Sequence, residues 1–242
     1  MKHFYRGRIG KTYLTYCFKY PETCLYFHHF LDSADHESFD IKVTESDFNW
    51  AQAEWNMAIN ANLEYILSLY RTSDYLTRDN SCLFHGASFL WNKKAYLISA
   101  DSGVGKTTQI RNWMALYSNE IRIMNGDKPV LCLEKDDQIN VFPSPWKGKE
   151  EWGDDRITAP LGGVILLKQG KSNSIKRIDS IGYGARMMSY FFSTFENAET
   201  VRKLCRIEEA IWQSVPVWLL TNKGDLESAM ITHNAMLEAI NG

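Results

Sequence analysis

A single stretch, residues 94–117, constrains this chain more than any other. It contains the short apolar run Ala95–Ser99, which is typical of a buried strand, and then apolar residues at helical spacing from Ile110 to Tyr117. Between them, Ala100–Thr107 has the sequence ADSGVGKT, the phosphate-loop pattern G-x-x-x-x-G-K-[ST] with alanine in place of the first glycine. The stretch therefore predicts a strand, a phosphate-binding loop and a helix within an α/β fold.

The residue types in this loop suit the phosphates of a nucleotide. Gly103 and Gly105 let successive backbone N–H groups face one concavity, at which the helix from about Lys106 directs its positive end. Lys106 adds a charge near the transferred phosphate, and the Thr107 hydroxyl is a Mg²⁺ ligand. The predicted nucleotide-binding residues are Asp101, Ser102, Gly103, Val104, Gly105, Lys106, Thr107 and Thr108. A glycine-containing turn without a ligand is the alternative.

Composition narrows the class of protein. At 242 residues, with 45% hydrophobic and 23% charged residues, the chain has the size and composition of an ordinary globular protein with one large or two small domains. A net charge of −2 supplies no basic field, so a nucleic-acid partner is not expected. The five scattered cysteines favour neither zinc nor disulfides, and no run approaches the ~18 apolar residues of a membrane span. We expect a cytoplasmic protein with no membrane partner.

The order of elements predicts two regions. Residues 1–80 form an accessory region, with antiparallel strands followed by a helical pattern over 48–75. Its predicted strands include Thr12–Phe18, Cys24–Phe30 and Phe39–Thr44. The polar segment Arg71–Ser81 is the predicted boundary with a nucleotide-binding core over 81–242, which ends in helices.

Within the core, the pattern predicts strands of an extended sheet and a helical C-terminal part. The segments Leu83–Trp91 and Ala95–Ser99 form a hairpin around Asn92-Lys93, and Ile175–Ile178 pairs back on Leu161–Leu167. Residues 180–214 are mostly helical with a break near 196–199. The remaining predicted elements are the strand Ile121–Met124, the hairpin Val130–Leu133 with Ile139–Phe142, the strand Val215–Thr221 and the helix Leu226–Ile240.

Two further residues are candidates for catalysis. Asp127 follows the strand Ile121–Met124, where a phosphate-loop enzyme places a carboxylate that binds magnesium or accepts a proton. A turn aspartate before Lys128 is the alternative. His85 precedes Gly86 and, if the hairpin brings it beside the phosphates, holds a phosphate oxygen or tunes a base; a core histidine is the alternative.

The segment 143–153 is rich in proline and glycine and predicts an irregular loop. Functional groups concentrate on such loops, and lysines with an aromatic residue suit a phosphorylated ligand. The candidate substrate residues are Trp146, Lys147, Lys149 and, as a clamp for transition-state charge, Arg156. A solvated loop is the alternative.

The run from His85 to Thr107 resembles the catalytic core of the HPr kinase/phosphorylase family, which has a His-Gly dipeptide before the phosphate-loop strand and G-x-S-G-x-G-K-S after it. The similarity spans about residues 82–170. It implies the phosphoenolpyruvate-carboxykinase-like P-loop fold, an α/β fold with strands of mixed direction. It also implies phosphate and Mg²⁺ roles for Lys106 and Thr107 and a catalytic-site role for His85.

The chain departs from that family at two places. Asp127 matches the second of the family's paired aspartates, but Gly126 replaces the first. The Glu-Arg-Gly signature is absent, and Pro145–Lys149 resembles instead a separate, uncharacterised branch of HPr-kinase-like proteins. The resemblance therefore implies an acceptor other than HPr.

Together the sequence predicts a magnesium-dependent kinase that transfers the γ-phosphate of ATP to a hydroxyl of a peptide Ser/Thr or of a small molecule. Asp127, His85 and Lys106 are the predicted catalytic residues, and Thr107 and Asp127 the predicted metal ligands. GTP and pyrophosphate stay open as phosphate donors, and a homo-oligomer stays open as the assembly. The alternative is a nucleotide-binding sensor or assembly module without turnover, which Gly126 favours.

Overall fold

The structure, a computed structural model, describes residues 3–32, 36–193, 195 and 197–241. Of these, residues 3–32 and 36–76 form what we call the N-terminal layer, a three-stranded sheet with two helices packed beside it. Its elements are β1 (His3–Ile9), β2 (Thr12–Phe18), a 3₁₀ segment (Pro21–Phe30), β3 (Phe39–Lys42), α1 (Glu45–Trp55) and α2 (Ala61–Leu76).

The core is a mixed sheet with helices packed against it. Its elements are β4 (Ser81–Phe84), β5 (Ala87–Trp91), β6 (Lys94–Ser99), α3 (Lys106–Tyr117), β7 (Ile121–Asn125), β8 (Val130–Leu133), β9 (Ile139–Phe142), β10 (Ala159–Gln169), β11 (Ser174–Arg177), α4 (Ser180–Met188), β12 (Phe191–Phe192), α5 (Ala198–Ser214), β13 (Val217–Asn222) and α6 (Leu226–Asn241). The predicted α/β class with strands of mixed direction is confirmed at this level.

The long strand β10 organises this sheet. Its first residues pair antiparallel with β9, and its remainder pairs parallel with both β6 and β13. The strands on either side of this centre are antiparallel, in the order β12-β4-β8-β9-β10-β6-β5-β7. Because β6 is central and buried, the loop at its carboxyl end is fixed on a rigid base.

The chain changes from one sheet to the other between β3 (Phe39–Lys42) and β4 (Ser81–Phe84), and one hydrophobic cluster joins the two parts. Tyr16 and Phe27 of the N-terminal layer share this cluster with Leu83, Val130 and Trp146 of the core. The N-terminal layer is therefore packed onto the core through a continuous apolar contact.

Two predictions for the N-terminal layer are wrong. Cys24–Phe30 is part of a 3₁₀ segment and not a strand, because Pro21 stands in its first turn and Thr23, Phe27 and Phe30 are buried at spacings of four and three. In addition, β2 pairs parallel with β3. A parallel pair needs a long crossover, and the 3₁₀ segment Pro21–Phe30 lies between the two strands in the chain.

The helical pattern over 48–75 corresponds to two helices. Asn56, in the left-handed conformation at φ 50°, ends α1, and the side chain of Asn60 caps α2 by accepting from the Leu63 N–H. The helical part of the C-terminal region is likewise interrupted: α4 ends at Met188, β12 follows, and α5 begins at Ala198. The predicted break near 196–199 thus begins earlier in the chain, and Glu196 lies outside the described residues.

In the core, the Asn92-Lys93 turn is confirmed, with both residues at positive φ. The predicted strand Leu83–Trp91, however, is divided at His85-Gly86 into β4 and β5, which lie in different parts of the sheet. The prediction that Ile175–Ile178 pairs with Leu161–Leu167 is wrong, because β11 pairs antiparallel with β13, and β10 already has β6 and β13 as neighbours. Among the described residues, no helix is long and apolar enough to cross a membrane.

Candidate active site

The loop between β6 and α3 has the backbone shape that phosphate binding requires. Gly103 and Gly105 adopt φ of +80° and +112°, a region that side chains disfavour. A Cβ added to either glycine would meet no atom within 4 Å, so the space above the loop is open. Because α3 begins at Lys106, the positive end of its dipole points into the same space. The cradle fits a phosphate chain in shape and in charge.

Distant residues fix the outer side of this loop. The Tyr190 hydroxyl lies 3.2 Å from Asp101 Oδ1 and receives a hydrogen bond from Arg186 Nε at 3.0 Å. Gln169 Nε2 lies 3.4 Å from the Gly103 carbonyl oxygen. No local sequence pattern identifies Tyr190 and Gln169, because they lie 89 and 66 positions along the chain from their partners in the loop, and Arg186 acts through Tyr190.

Asp127 stands at the end of β7 among three basic side chains. Its carboxylate lies 3.2 Å from Lys106 Nζ, 2.8 Å from Lys128 Nζ and 3.5 Å from His85 Nε2. Partial burial raises the pKa of Asp127, but the hydrogen bond from His85 and the charges of Lys128 and Lys106 outweigh it and hold that pKa well below its usual range. Burial lowers the pKa of Lys106, against the opposing effect of Asp127. Asp127 is therefore a firmly ionised carboxylate.

Buried backbone contacts place Asp127 and His85 beside each other. The side-chain oxygen of Asn125 accepts from the N–H groups of Asp127 at 2.9 Å and Lys128 at 2.8 Å, which shapes the turn after β7. The Gly86 N–H donates to the Asp127 carbonyl at 2.9 Å. The division between β4 and β5 thus brings His85 to the Asp127 carboxylate. The conditional prediction that His85 lies beside the phosphates of a nucleotide stays a prediction.

The structure explains why residue 126 is a glycine. A Cβ at this position would lie 2.5 Å from the Lys147 carbonyl oxygen, a separation that real contacts do not reach. The loop 143–153 therefore occupies the space that a side chain at residue 126 would need. Lys128 N–H donates to the Trp146 carbonyl at 3.1 Å and ties the same loop to the turn after β7.

This loop contains two lysines that differ in exposure and in ion pairing. Lys147 Nζ forms an ion pair at 2.6 Å with Asp155, whose side chain is nearly buried. Lys149 is exposed and takes part in no ion pair within the described part of the chain. Lys128, which the sequence analysis took only as the residue after a turn aspartate, is buried and belongs to the site.

A cavity of about 530 Å³ joins the cradle, His85 and Asp127. Most of the predicted site residues line it: His85, Asp101, Ser102, Gly103, Gly105, Lys106, Thr107, Thr108, Asp127, Lys147 and Lys149. Val104 packs against the core beside it. Trp146 is buried and faces a second cavity, and Arg156 lies outside both, with a 90% exposed side chain paired with Asp154.

The donor set can be compared with what Mg²⁺ requires. Thr107 and Asp127 line the same cavity, and an octahedral Mg²⁺ bound by one carboxylate and one hydroxyl takes its other ligands from phosphates and water. The described residues contain no group of three His, Cys, Asp or Glu side chains that could hold a metal by themselves. The residues fit a metal that arrives with a nucleotide and do not form a metal cage of their own.

Comparisons with known proteins add little to this geometry. No family model and no curated protein matches the chain. Among solved structures, the HPr(Ser) kinase/phosphatase from Coxiella burnetii is similar at 12% sequence identity and a TM-score of 0.36, over 64% of this chain and 98% of that chain. A similarity this distant assigns no function.

Proposed function

We propose that this chain is a magnesium-dependent phosphotransferase of the HPr-kinase-like class, which transfers the γ-phosphate of ATP to a hydroxyl of a peptide Ser/Thr or of a small molecule. One observation carries the proposal. A glycine cradle open to phosphate and an ionised carboxylate share one cavity, with Lys106 Nζ 3.2 Å from Asp127. Phosphoryl transfer needs little more from a protein than positioning and charge stabilisation.

The transfer forms a bond between the acceptor oxygen and the γ-phosphorus and breaks the bond from that phosphorus to the β,γ-bridging oxygen, so that ADP leaves with the electron pair. Lys106 offsets the negative charge that develops during the transfer. Thr107 and Asp127 would hold Mg²⁺, which neutralises phosphate charge. A strongly ionised Asp127 suits a metal ligand better than a base, so we assign the hydroxyl proton to His85, a role typically worth ~10²–10⁴-fold.

The test is thermal unfolding with and without Mg²⁺-ATP. At a hundred times its dissociation constant the ligand should add about 2.7 kcal/mol of apparent stability to the wild-type chain. Lys106→Ala should lose this gain and also lose γ-phosphate transfer by at least ~10²-fold. Lys135→Ala, an exposed lysine on the β8–β9 turn, should behave as wild type. If no nucleotide stabilises the wild-type chain, the proposal is wrong.

A second candidate is a nucleotide-binding module without turnover. The close approach of the Lys147 carbonyl to Gly126 favours it. That contact leaves no room for a second carboxylate at residue 126 beside Asp127, at the end of β7. Stoichiometric binding of Mg²⁺-ATP, with no phosphate transfer to any hydroxyl acceptor and no ADP release, would select this alternative.

A further inference from the structure

A second, larger cavity of about 720 Å³ lies against the first. One wall comes from Leu25 and Tyr26 in the 3₁₀ segment, and another from Tyr65 and its neighbours on α2. The remaining wall is the loop 145–151, and Asp127 and Lys128 lie at the boundary with the core. The cavity therefore exists only because the N-terminal layer packs on the core.

The two cavities share the residues at which chemistry would occur. Asp127, Lys147, Gly148 and Lys149 line both of them, whereas the phosphate loop lines only the first. A molecule in the second cavity thus meets a nucleotide in the first at Asp127. This arrangement suits a donor and an acceptor that approach one carboxylate from opposite sides.

The N-terminal layer holds the shared loop in position. The Tyr65 hydroxyl donates to the Pro145 carbonyl at 3.0 Å, and Trp146 Nε1 donates to the Tyr65 carbonyl at 3.2 Å. Tyr26 stacks on Tyr65 with ring centroids 4.2 Å apart. These contacts make the aromatic wall and the lysine loop one rigid unit.

We propose, on the basis of the proposed function, that the second cavity is the acceptor site and that it binds a polypeptide segment whose Ser or Thr is flanked by a bulky apolar residue. Leu25 is 68% exposed and Tyr26 41% exposed, although both are large and apolar. Exposed apolar side chains at a cavity rim mark contact with a partner that extends beyond the cavity. A polypeptide that continues out of the cavity would cover more of these two side chains than a small molecule held beside Asp127.

The charge of Lys149 adds a second preference, for an acidic residue in the acceptor peptide. Lys149 is the exposed lysine at the junction of the two cavities and has no ion-pair partner among the described residues. Glu151 lies on the same loop, and His28 and His29 line the opposite rim. An acidic residue of the acceptor placed against Lys149 gains a charge-assisted contact, so the acceptor carries a carboxylate near its hydroxyl residue.

The experiment uses nine-residue peptides with a central serine whose flanks are apolar or polar and acidic or basic, together with free L-serine. The wild-type chain should phosphorylate the apolar, acidic peptide with the lowest KM. Tyr26→Ala and Leu25→Ala should each raise that KM about tenfold, with the KM for ATP unchanged. Phe4→Ala is the matched control, because Phe4 is 72% exposed and lines neither cavity. Lys149→Glu should shift the preference to the basic peptide.

Failure of this inference and failure of the proposed function give different results. If free L-serine is the best acceptor and its KM is equal in wild type and Tyr26→Ala, the chain is a kinase and the cavity assignment is overturned. If Mg²⁺-ATP does not bind, the proposed function fails, and the cavity is judged by fluorescence anisotropy of the labelled apolar, acidic peptide alone. Binding that Tyr26→Ala weakens and Phe4→Ala does not would support the site; equal binding by all three chains would overturn it.

Discussion

The two cavities that meet at Asp127 are built from different kinds of sequence. The nucleotide cradle comes mainly from the contiguous stretch Ala100–Thr108, in which two glycines at positive φ and the start of a helix define the shape. The second cavity comes from the 3₁₀ segment, α2 and the loop 145–151, which are far apart in the chain. The first depends on local backbone conformation and the second on packing, and the two should respond differently to substitution.

Substitution of Glu64 should affect the second cavity and not the nucleotide cradle, and it has the largest expected effect on stability. This buried carboxylate on α2 accepts from Lys19 N at 2.6 Å, Tyr20 N at 3.1 Å and the Thr23 hydroxyl at 2.7 Å, and so anchors the 3₁₀ segment. Glu64→Ala should lower the free energy of unfolding by about 3 kcal/mol, because buried donors lose a charged acceptor. Urea unfolding measures this.

Glu64→Gln is the matched control, since its amide oxygen still accepts hydrogen bonds, and it should lose clearly less stability. Both variants should keep the affinity for Mg²⁺-ATP of the wild-type chain while the KM for a peptide acceptor rises. A fall in nucleotide affinity as large as the rise in acceptor KM would show that the two cavities are not separable.

Asp127 belongs to both cavities, and its ionisation predicts a pH dependence of stability. The folded-state pKa lies below the unfolded value of about 3.9, so the stabilisation is present above about pH 4 and is lost as the pH falls towards the folded pKa. At pH 7 Asp127→Asn should lower the free energy of unfolding by about 2 kcal/mol.

The difference between wild type and Asp127→Asn should then shrink between about pH 4 and pH 2, measured by urea unfolding at several pH values. A difference that stays constant over this range would mean that the contacts with Lys106, Lys128 and His85 do not stabilise the folded chain.

The contact between Gly126 and the loop 143–153 can be broken with one methyl group. Gly126→Ala would place a Cβ 2.5 Å from the Lys147 carbonyl oxygen, so the loop must shift, at a cost of about 1–3 kcal/mol. Gly182→Ala on α4 is the control, because its Cβ would lie 3.9 Å from the nearest side-chain atom. Thermal unfolding measures both. Equal melting temperatures for Gly126→Ala and wild type would show that the loop does not rest on β7.

The sequence could predict the features that depend on local backbone conformation better than those that depend on the packing of distant segments. The phosphate loop, its strand and its helix were predictable because their information is local. His85 could be proposed only conditionally, since the break between β4 and β5 depends on pairing with other strands. The 3₁₀ segment was mistaken for a strand because aromatic residues suit both. Pro21 in its first turn and the burial of Phe27 and Phe30 on one side distinguish them.

The same limit applies to the residues that complete the site. Tyr190 contacts Asp101 across 89 residues, which no motif encodes. Asn125 and Lys128 act over only one to three residues, and the sequence analysis missed them for lack of a motif that includes them. The sequence does show a lysine directly after a candidate catalytic aspartate, and that adjacency is the signal that could have been used for Lys128. Arg156 is the reverse error: its side chain is chemically suited to bind phosphate, but it lines neither cavity.

The smallest expected effect is therefore at Arg156. Its side chain is 90% exposed, pairs with Asp154 at 3.1 Å and lines neither cavity, so solvent screens its charge from both ligands. Arg156→Ala should leave the melting temperature and the Mg²⁺-ATP affinity unchanged, and kcat/KM within about twofold of wild type. Steady-state kinetics beside Lys147→Ala, which removes a lysine that lines both cavities, gives the contrast. A loss with Arg156→Ala as large as with Lys147→Ala would mean that the loop closes over the nucleotide and brings Arg156 with it, and the cavities as described would then represent only the open form.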